Sequence, residues 1–210
     1  MVNFHIAYDD DDDKLGRYFE SSKTDIVEFI QSNCDSSRVW ELSSEHCDIT
    51  YIDTYLPQIN STNFIFTTYC HGNVDELVAG GACFVKKNKN SYLFANSLFY
   101  SMSCLAGREL ASALILEGTH AFLGFKDDAK VLLEDYQQLS IECDNYALKE
   151  FILGKAIGQC FEEMKNFISD KIEYLLVQEE PLHASYLRAN RDALTFEGND
   201  QLTIEDFKVN

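Results

Sequence analysis

Two short stretches carry residue types that together do acyl-transfer chemistry. Asn63-Phe-Ile-Phe-Thr-Thr-Tyr-Cys70 is a β-branched and aromatic run that ends at His71-Gly72. Leu98-Phe-Tyr-Ser-Met-Ser103 is a second such run, and it ends at Cys104. A thiolate is a strong nucleophile, and an imidazole can protonate a leaving amine. Gly72 has no side chain, so its amide can approach a ligand closely; with the Cys104 amide it would form an oxyanion hole. Cys104 also opens a helix through Leu105-Ala106-Gly107. A helix N-terminus beside a protonated His is expected to lower a thiol pKa. A single Cys is more often a small buried hydrophobe than a nucleophile. What joins these two residues is that each closes one of two successive long strands.

The elements that must position them follow from hydrophobic period. Val2 to Tyr8 reads as a first strand and Leu15 to Ser32 as an amphipathic helix. Cys47 to Tyr55, bounded by Pro57, predicts a second strand. Ala82 to Lys86 and Ser91 to Phe94 predict a hairpin around Lys-Asn-Lys-Asn. Gly107 to Glu117 predicts a helix capped by Gly118, and His120 to Phe125 a strand. Ile141 to about Val177 is mostly helical in pattern, and Leu194 to Phe196 is one more strand. Strands alternating with helices predict an α/β fold with a mainly parallel sheet. If the runs ending at His71 and Cys104 are neighbours, they lie roughly 4.8 Å apart and share one crevice at their carboxyl ends. Strand alternation turns Cys70 to the other face, into the core.

The chain has 210 residues, 24.0 kDa, with Lys plus Arg 17 and Asp plus Glu 35, a formal charge of −18. That charge argues against nucleic acid and against anionic lipid, and it favours basic partners. No apolar run approaches the ~20 residues of a membrane span, and no secretory signal is legible at Met1 to Tyr8. Seven cysteines without a CxxC pair or metal spacing predict free thiols in a reducing cytoplasm and no zinc site, and no Gly-x-x-x-x-Gly-Lys-Ser/Thr run predicts a P-loop. Asp9 to Lys14 matches a cleavage-tag sequence, but the apolar run before it reads as a native strand. Two prolines and no low-complexity linker predict a single domain over residues 1–210.

Several stretches resemble the caspase-like cysteine peptidases, in particular the CHAT, separase and gingipain branches. They are Phe66-Thr-Thr-Tyr-Cys-His71-Gly72, Phe99-Tyr-Ser-Met-Ser-Cys104-Leu-Ala-Gly107 and Ala113-Leu-Ile-Leu-Glu-Gly-Thr-His-Ala-Phe-Leu-Gly124-Phe125. Phe151-Ile-Leu-Gly154-Lys-Ala-Ile-Gly-Gln159 and the segment Leu194 to Leu202, with Gly198-Asn-Asp200, resemble later parts of the CHAT pattern. The resemblance implies a three-layer αβα caspase-like fold with a mainly parallel central sheet. It implies Cys104 as nucleophile, His71 as partner, and Gly72 and Cys104 amides as oxyanion hole, with no cofactor. The separation of His71 from Cys104 is 33 positions, shorter than usual for the family.

In a 2-1-3-4 strand order the loop after the first strand lies beside the His71 loop. That loop is Asp9 to Asp13, whose carboxylates, Asp9, Asp10 and Asp11 among them, would select Lys or Arg in a protein or peptide substrate, and Asp127 and Asp128 form a second candidate wall. The resemblance to the CHAT and gingipain branches also implies basic specificity, and that to prokaryotic caspase-like proteins implies an activating or regulatory protein partner and a role in antiviral defence. The rival readings are a catalytically inactive caspase-like interaction module and, more weakly, a flavodoxin-like binding domain.

Overall fold

The described residues of the computed structural model are 1–59 and 62–209. In chain order they form β1 (Val2–Tyr8), α1 (Gly16–Asn33), β2 (Ser37–Leu42), α2 (Ile49–Ile59), β3 (Phe64–Tyr69), β4 (His71–Gly72), β5 (Glu76–Ala79) and β6 (Ala82–Lys86). Then come β7 (Ser97–Ser101), α3 (Glu109–Leu116), β8 (Ala121–Phe125), α4 (Gln137–Ile152), α5 (Ile157–Val177), α6 (Pro181–Ala193) and β9 (Leu194–Gly198). The main sheet has the order β2-β1-β3-β7-β8-β9, parallel except for β9, which runs antiparallel on β8. Its first four positions give the expected 2-1-3-4 arrangement.

Interior strands buried on both faces read as continuous apolar runs, and β1, β3, β7 and β8 do so. Alternate residues feed two cores. Phe4, Ile6, Ile65, Tyr100 and Leu123 pack with α1, α4, α5 and α6. Phe64, Phe66, Phe99 and Phe122 pack with α2, α3 and the β5–β6 hairpin. The result is three layers, α, β, α. A polar bridge fixes α4 to α1 and to the sheet: Tyr18 of α1 donates to Asp144 Oδ2 at 2.5 Å, Tyr69 of β3 to Asn145 Oδ1 at 2.5 Å, and Tyr100 of β7 to the Asp144 carbonyl at 2.5 Å. Burial pushes the Asp144 carboxyl up to about 7.

Three sequence expectations are corrected. Cys47 to Tyr55 is not a strand: Ile49–Ile59 is helical, with Ile52 and Leu56 buried four apart and Tyr51 stacked on Tyr55. Asp48 accepts from the Tyr51 amide at 3.0 Å, a helix-start bond that the aromatic content masked. The second strand is instead Ser37–Leu42, a half-exposed edge strand whose charges hid it. The hairpin pairs β5 with β6 through Gly80 and Gly81, at φ +55° and +74°, which glycine adopts without steric cost. Ser91–Phe94 is a short 3₁₀ turn behind it. The long helical stretch divides into α4 and α5, and Pro181 starts the further helix α6 at its first turn. Among the described residues, no helix is long and apolar enough to cross a membrane.

Candidate active site

The two long strands are parallel neighbours, with Thr68 paired to Ser101. Beyond that pair their ends are tied by short polar contacts. Thr68 Oγ1 donates to Ser101 Oγ at 2.8 Å, and Cys70 Sγ lies 3.3 Å from Ser103 Oγ. Cys70 itself is buried in the core. His71-Gly72 is not the tail of β3. It forms β4 in a small second sheet, with His71 paired to Val78 and Gly72 to Leu77 of β5. This step brings Gly72 onto the nucleophile loop: a Cβ at Gly72 would lie 2.3 Å from the Cys104 carbonyl oxygen and 3.0 Å from Ser103 Cβ. Only glycine allows the two backbones to meet this closely.

The side chains do not meet in the same way. His71 Nε2 sits 3.0 Å from Asp12 Oδ2, and its ring stands edge-on to Phe19 at 5.5 Å. The imidazole is 47% exposed and Asp12 is 26% exposed. Asp12 Oδ1 accepts from the Leu15 amide at 2.5 Å and the Lys14 amide at 2.8 Å, just ahead of α1. The Leu15 amide, helped by His71, holds the Asp12 carboxyl below its usual range. Cys104 faces the chain after β8: its Sγ accepts from the Ala129 amide at 3.2 Å and lies 3.7 Å from the Ala129 carbonyl.

The expected helix at the thiol is also displaced. A turn occupies the residues after Cys104, with Leu105 at φ +61°, and α3 begins only at Glu109. Its N-terminus is therefore not at the sulfur. Burial pushes the Cys104 thiol up, the reverse of the expected lowering, with the Ala129 amide opposing only in part.

The acidic loop divides into structural and open positions. Asp9 is 3% exposed, and its Oδ1 accepts from Ser44 Oγ at 3.0 Å, the Gly80 amide at 3.1 Å and the Asp11 amide at 3.3 Å. Asp10 Oδ1 accepts from the Ser44 amide at 2.9 Å and its hydroxyl at 2.7 Å. Asp9 thus belongs to the scaffold, and Asp10 anchors the neighbouring loop. Asp11 is exposed in an open cleft of about 800 Å³, lined also by Asp12, Asp13, His71, Gly72 and Gly81. On the other side, Asp127 is ion-paired with Arg108, and Asp128 is exposed near Cys104. Asp12, expected only as one carboxylate of the acidic loop, is the residue that bonds the His71 imidazole. Its signal was an Asp placed just before a helix, hidden inside an acidic run.

One ligand atom from each of Asp9, Asp12 and His71 lies within 4.8 Å of the others, the single such grouping among the described residues. Of the two carboxylates only Asp12 bonds His71, while Asp9 is held by Ser44 and the Gly80 amide.

No family model matches the chain, and no curated protein sequence matches it. Among solved structures it is similar to a secreted C11 cysteine protease from Bacteroides thetaiotaomicron, held with an irreversible peptide inhibitor. The TM-score is 0.46 at 10% identity, over 70% of this chain and 58% of that one. It is also similar to an inactive zymogen C11 protease from Parabacteroides distasonis, with TM-score 0.37 at 15% identity, over 62% of this chain and 49% of that one. The chain therefore spans 58% and 49% of these two proteins.

Proposed function

We propose that this chain is a cysteine endopeptidase of the caspase-like kind, acting through Cys104 and His71 as one domain over residues 1–210. The observation that carries the reading is the close approach of the Gly72 backbone, just after β3, to the Cys104 carbonyl, just after the parallel neighbour β7. In the reaction, His71 takes the Cys104 proton, and the sulfur forms a bond to the scissile carbonyl carbon. The Gly72 and Cys104 amides hold the resulting oxyanion. His71 returns the proton to the leaving amine as the C–N bond breaks, and water then releases the acyl group from sulfur. Asp12 orients the imidazole and steadies its charge, as the third group of a nucleophile–base arrangement. No cofactor enters the scheme.

The substrate is a protein or peptide with Lys or Arg at the cleaved bond. Asp11 and Asp13 in the cleft beside His71, and Asp128 beside Cys104, supply the attracting charge. The overall charge of −18 steers basic chains to it. A cytoplasmic location, a regulating protein partner and a role in prokaryotic defence complete the proposal.

The test is cleavage of a positional library of fluorogenic peptides by wild type and Cys104→Ala. Cleavage after Arg or Lys by wild type alone is the expected result. Cleavage after Asp would keep the nucleophile and discard the acidic subsite, and equal cleavage by both proteins would discard the reading. A second reading, an inactive interaction module, is favoured by one observation: the thiol and the imidazole each hold another partner. It expects no cleavage by either protein.

A further inference from the structure

The chain after β8 has no regular secondary structure over residues 126–133, yet it is tied down along its length. At its start, Arg108 Nε donates to the Lys126 carbonyl at 2.8 Å, and the Lys126 amide donates to the Ala193 carbonyl at 2.8 Å. In its middle, Asn190 of α6 holds Lys130 on both sides: the Lys130 amide donates to Asn190 Oδ1 at 2.7 Å, and Asn190 Nδ2 donates to the Lys130 carbonyl at 2.7 Å. Asn190 is itself 5% exposed. At its end, the Leu132 amide donates to Ser140 Oγ at 2.9 Å. Between Arg108 and Asn190 lies Ala129, whose amide and carbonyl both face the Cys104 sulfur.

We propose that residues 126–132 form an autoinhibitory strap, latched by Asn190, which occupies the Cys104 sulfur through the Ala129 backbone and must lift before that sulfur can turn to His71. The consequence for turnover rests on the peptidase reading above; the occupation of the sulfur does not. The geometry explains why the two strand ends converge while their side chains do not. A sulfur that accepts from a residue's N–H and lies against the same residue's carbonyl, as Cys104 does at Ala129, is screened on that side from an incoming carbonyl carbon. The ties differ in kind. Those at Arg108 lie at the surface, where a partner can displace them, whereas Asn190 replaces a backbone partner within the protein. Such a segment, held by a few side-chain bonds and outside any helix or sheet, is the sort that opens locally without global unfolding. Burial also keeps the sulfur's proton on, consistent with a resting state.

The test uses the full chain and reads alkylation of Cys104 by iodoacetamide, site by site, from peptide masses. Cys34 and Cys83, both half-buried, serve as internal references. Asn190→Ala is expected to raise the Cys104 rate about tenfold with Cys34 and Cys83 unchanged, the order expected when two buried hydrogen bonds are lost. Arg108→Ala, a surface change, is expected to raise it several-fold, and it decides the matter if Asn190→Ala unfolds and all cysteines label together. Wild-type labelling of Cys104 in folded Asn190→Ala, or in Arg108→Ala should the first unfold, overturns the strap. Faster labelling with no peptide cleavage by any variant keeps the strap and removes the peptidase. Peptide cleavage by wild type with unchanged labelling in the variants does the opposite.

Discussion

Replacing His71 by alanine is expected to lower kcat/KM for peptide cleavage by about 10³-fold, while the fold is kept. The imidazole carries the proton from thiol to amine in every cycle, and positioned proton transfer contributes roughly 10²–10⁴ to a rate. In this protein the dependence is placed above the lower end, because the Cys104 thiol is pushed up by burial and needs a base to ionise. The stability cost is small, since the ring is 47% exposed and surface changes usually stay within about 0.5 kcal/mol. Asp12→Asn should fall between wild type and His71→Ala, about tenfold down, since it keeps the acceptor shape for His71 but removes the charge. A His71→Ala protein within threefold of wild type in kcat/KM, at an unchanged Tm, would show that the imidazole takes no part.

The second large effect is expected from Gly72→Ala. The φ angle there is not in the left-handed region, so the penalty is one of space rather than of backbone conformation. The new methyl would sit 2.3 Å from a carbonyl oxygen, and a backbone atom cannot swing away as a side chain can. Overpacking of this kind costs about 1–3 kcal/mol, which lowers Tm by several degrees in a chain of this size. The larger effect is on activity. The methyl drives apart the loop that carries His71 and the loop that carries Cys104, and a displacement of about 1 Å can cost about 10² in rate. Thermal unfolding and kcat/KM on the same preparation separate the two losses. Wild-type values for both would mean that the strand ends are not in contact in solution.

Much of this arrangement was legible in the sequence because it rests on strand period. The runs that end near His71 and Cys104 are buried on both faces, so their apolar continuity marked them, and their parallel pairing follows from the α/β alternation. The strand β2 was not legible. Its apolar residues Val39, Trp40 and Leu42 are broken up by Arg38 and Glu41 in an edge element, and the aromatic start of α2 took its place in the reading. The acidic loop was legible as charge but not as geometry. Asp9 and Asp10 are spent on Ser44 and Gly80, residues 34 to 71 positions away, and no local pattern announces such bonds. The grip of Ala129 on Cys104 was hidden for a similar reason. It is made by backbone N–H and C=O groups, which almost every residue type offers alike.

The most direct measurement on the central claim is covalent capture. The chain is incubated with a peptidyl chloromethyl ketone ending in lysine, and the adduct is located by mass. Capture is irreversible, so even a rarely lifted strap lets the adduct accumulate over hours. A single adduct on Cys104 is expected, absent from Cys104→Ala and formed far more slowly in His71→Ala. Adducts spread over Cys34 and Cys83, at rates matching that at Cys104, would contradict the claim.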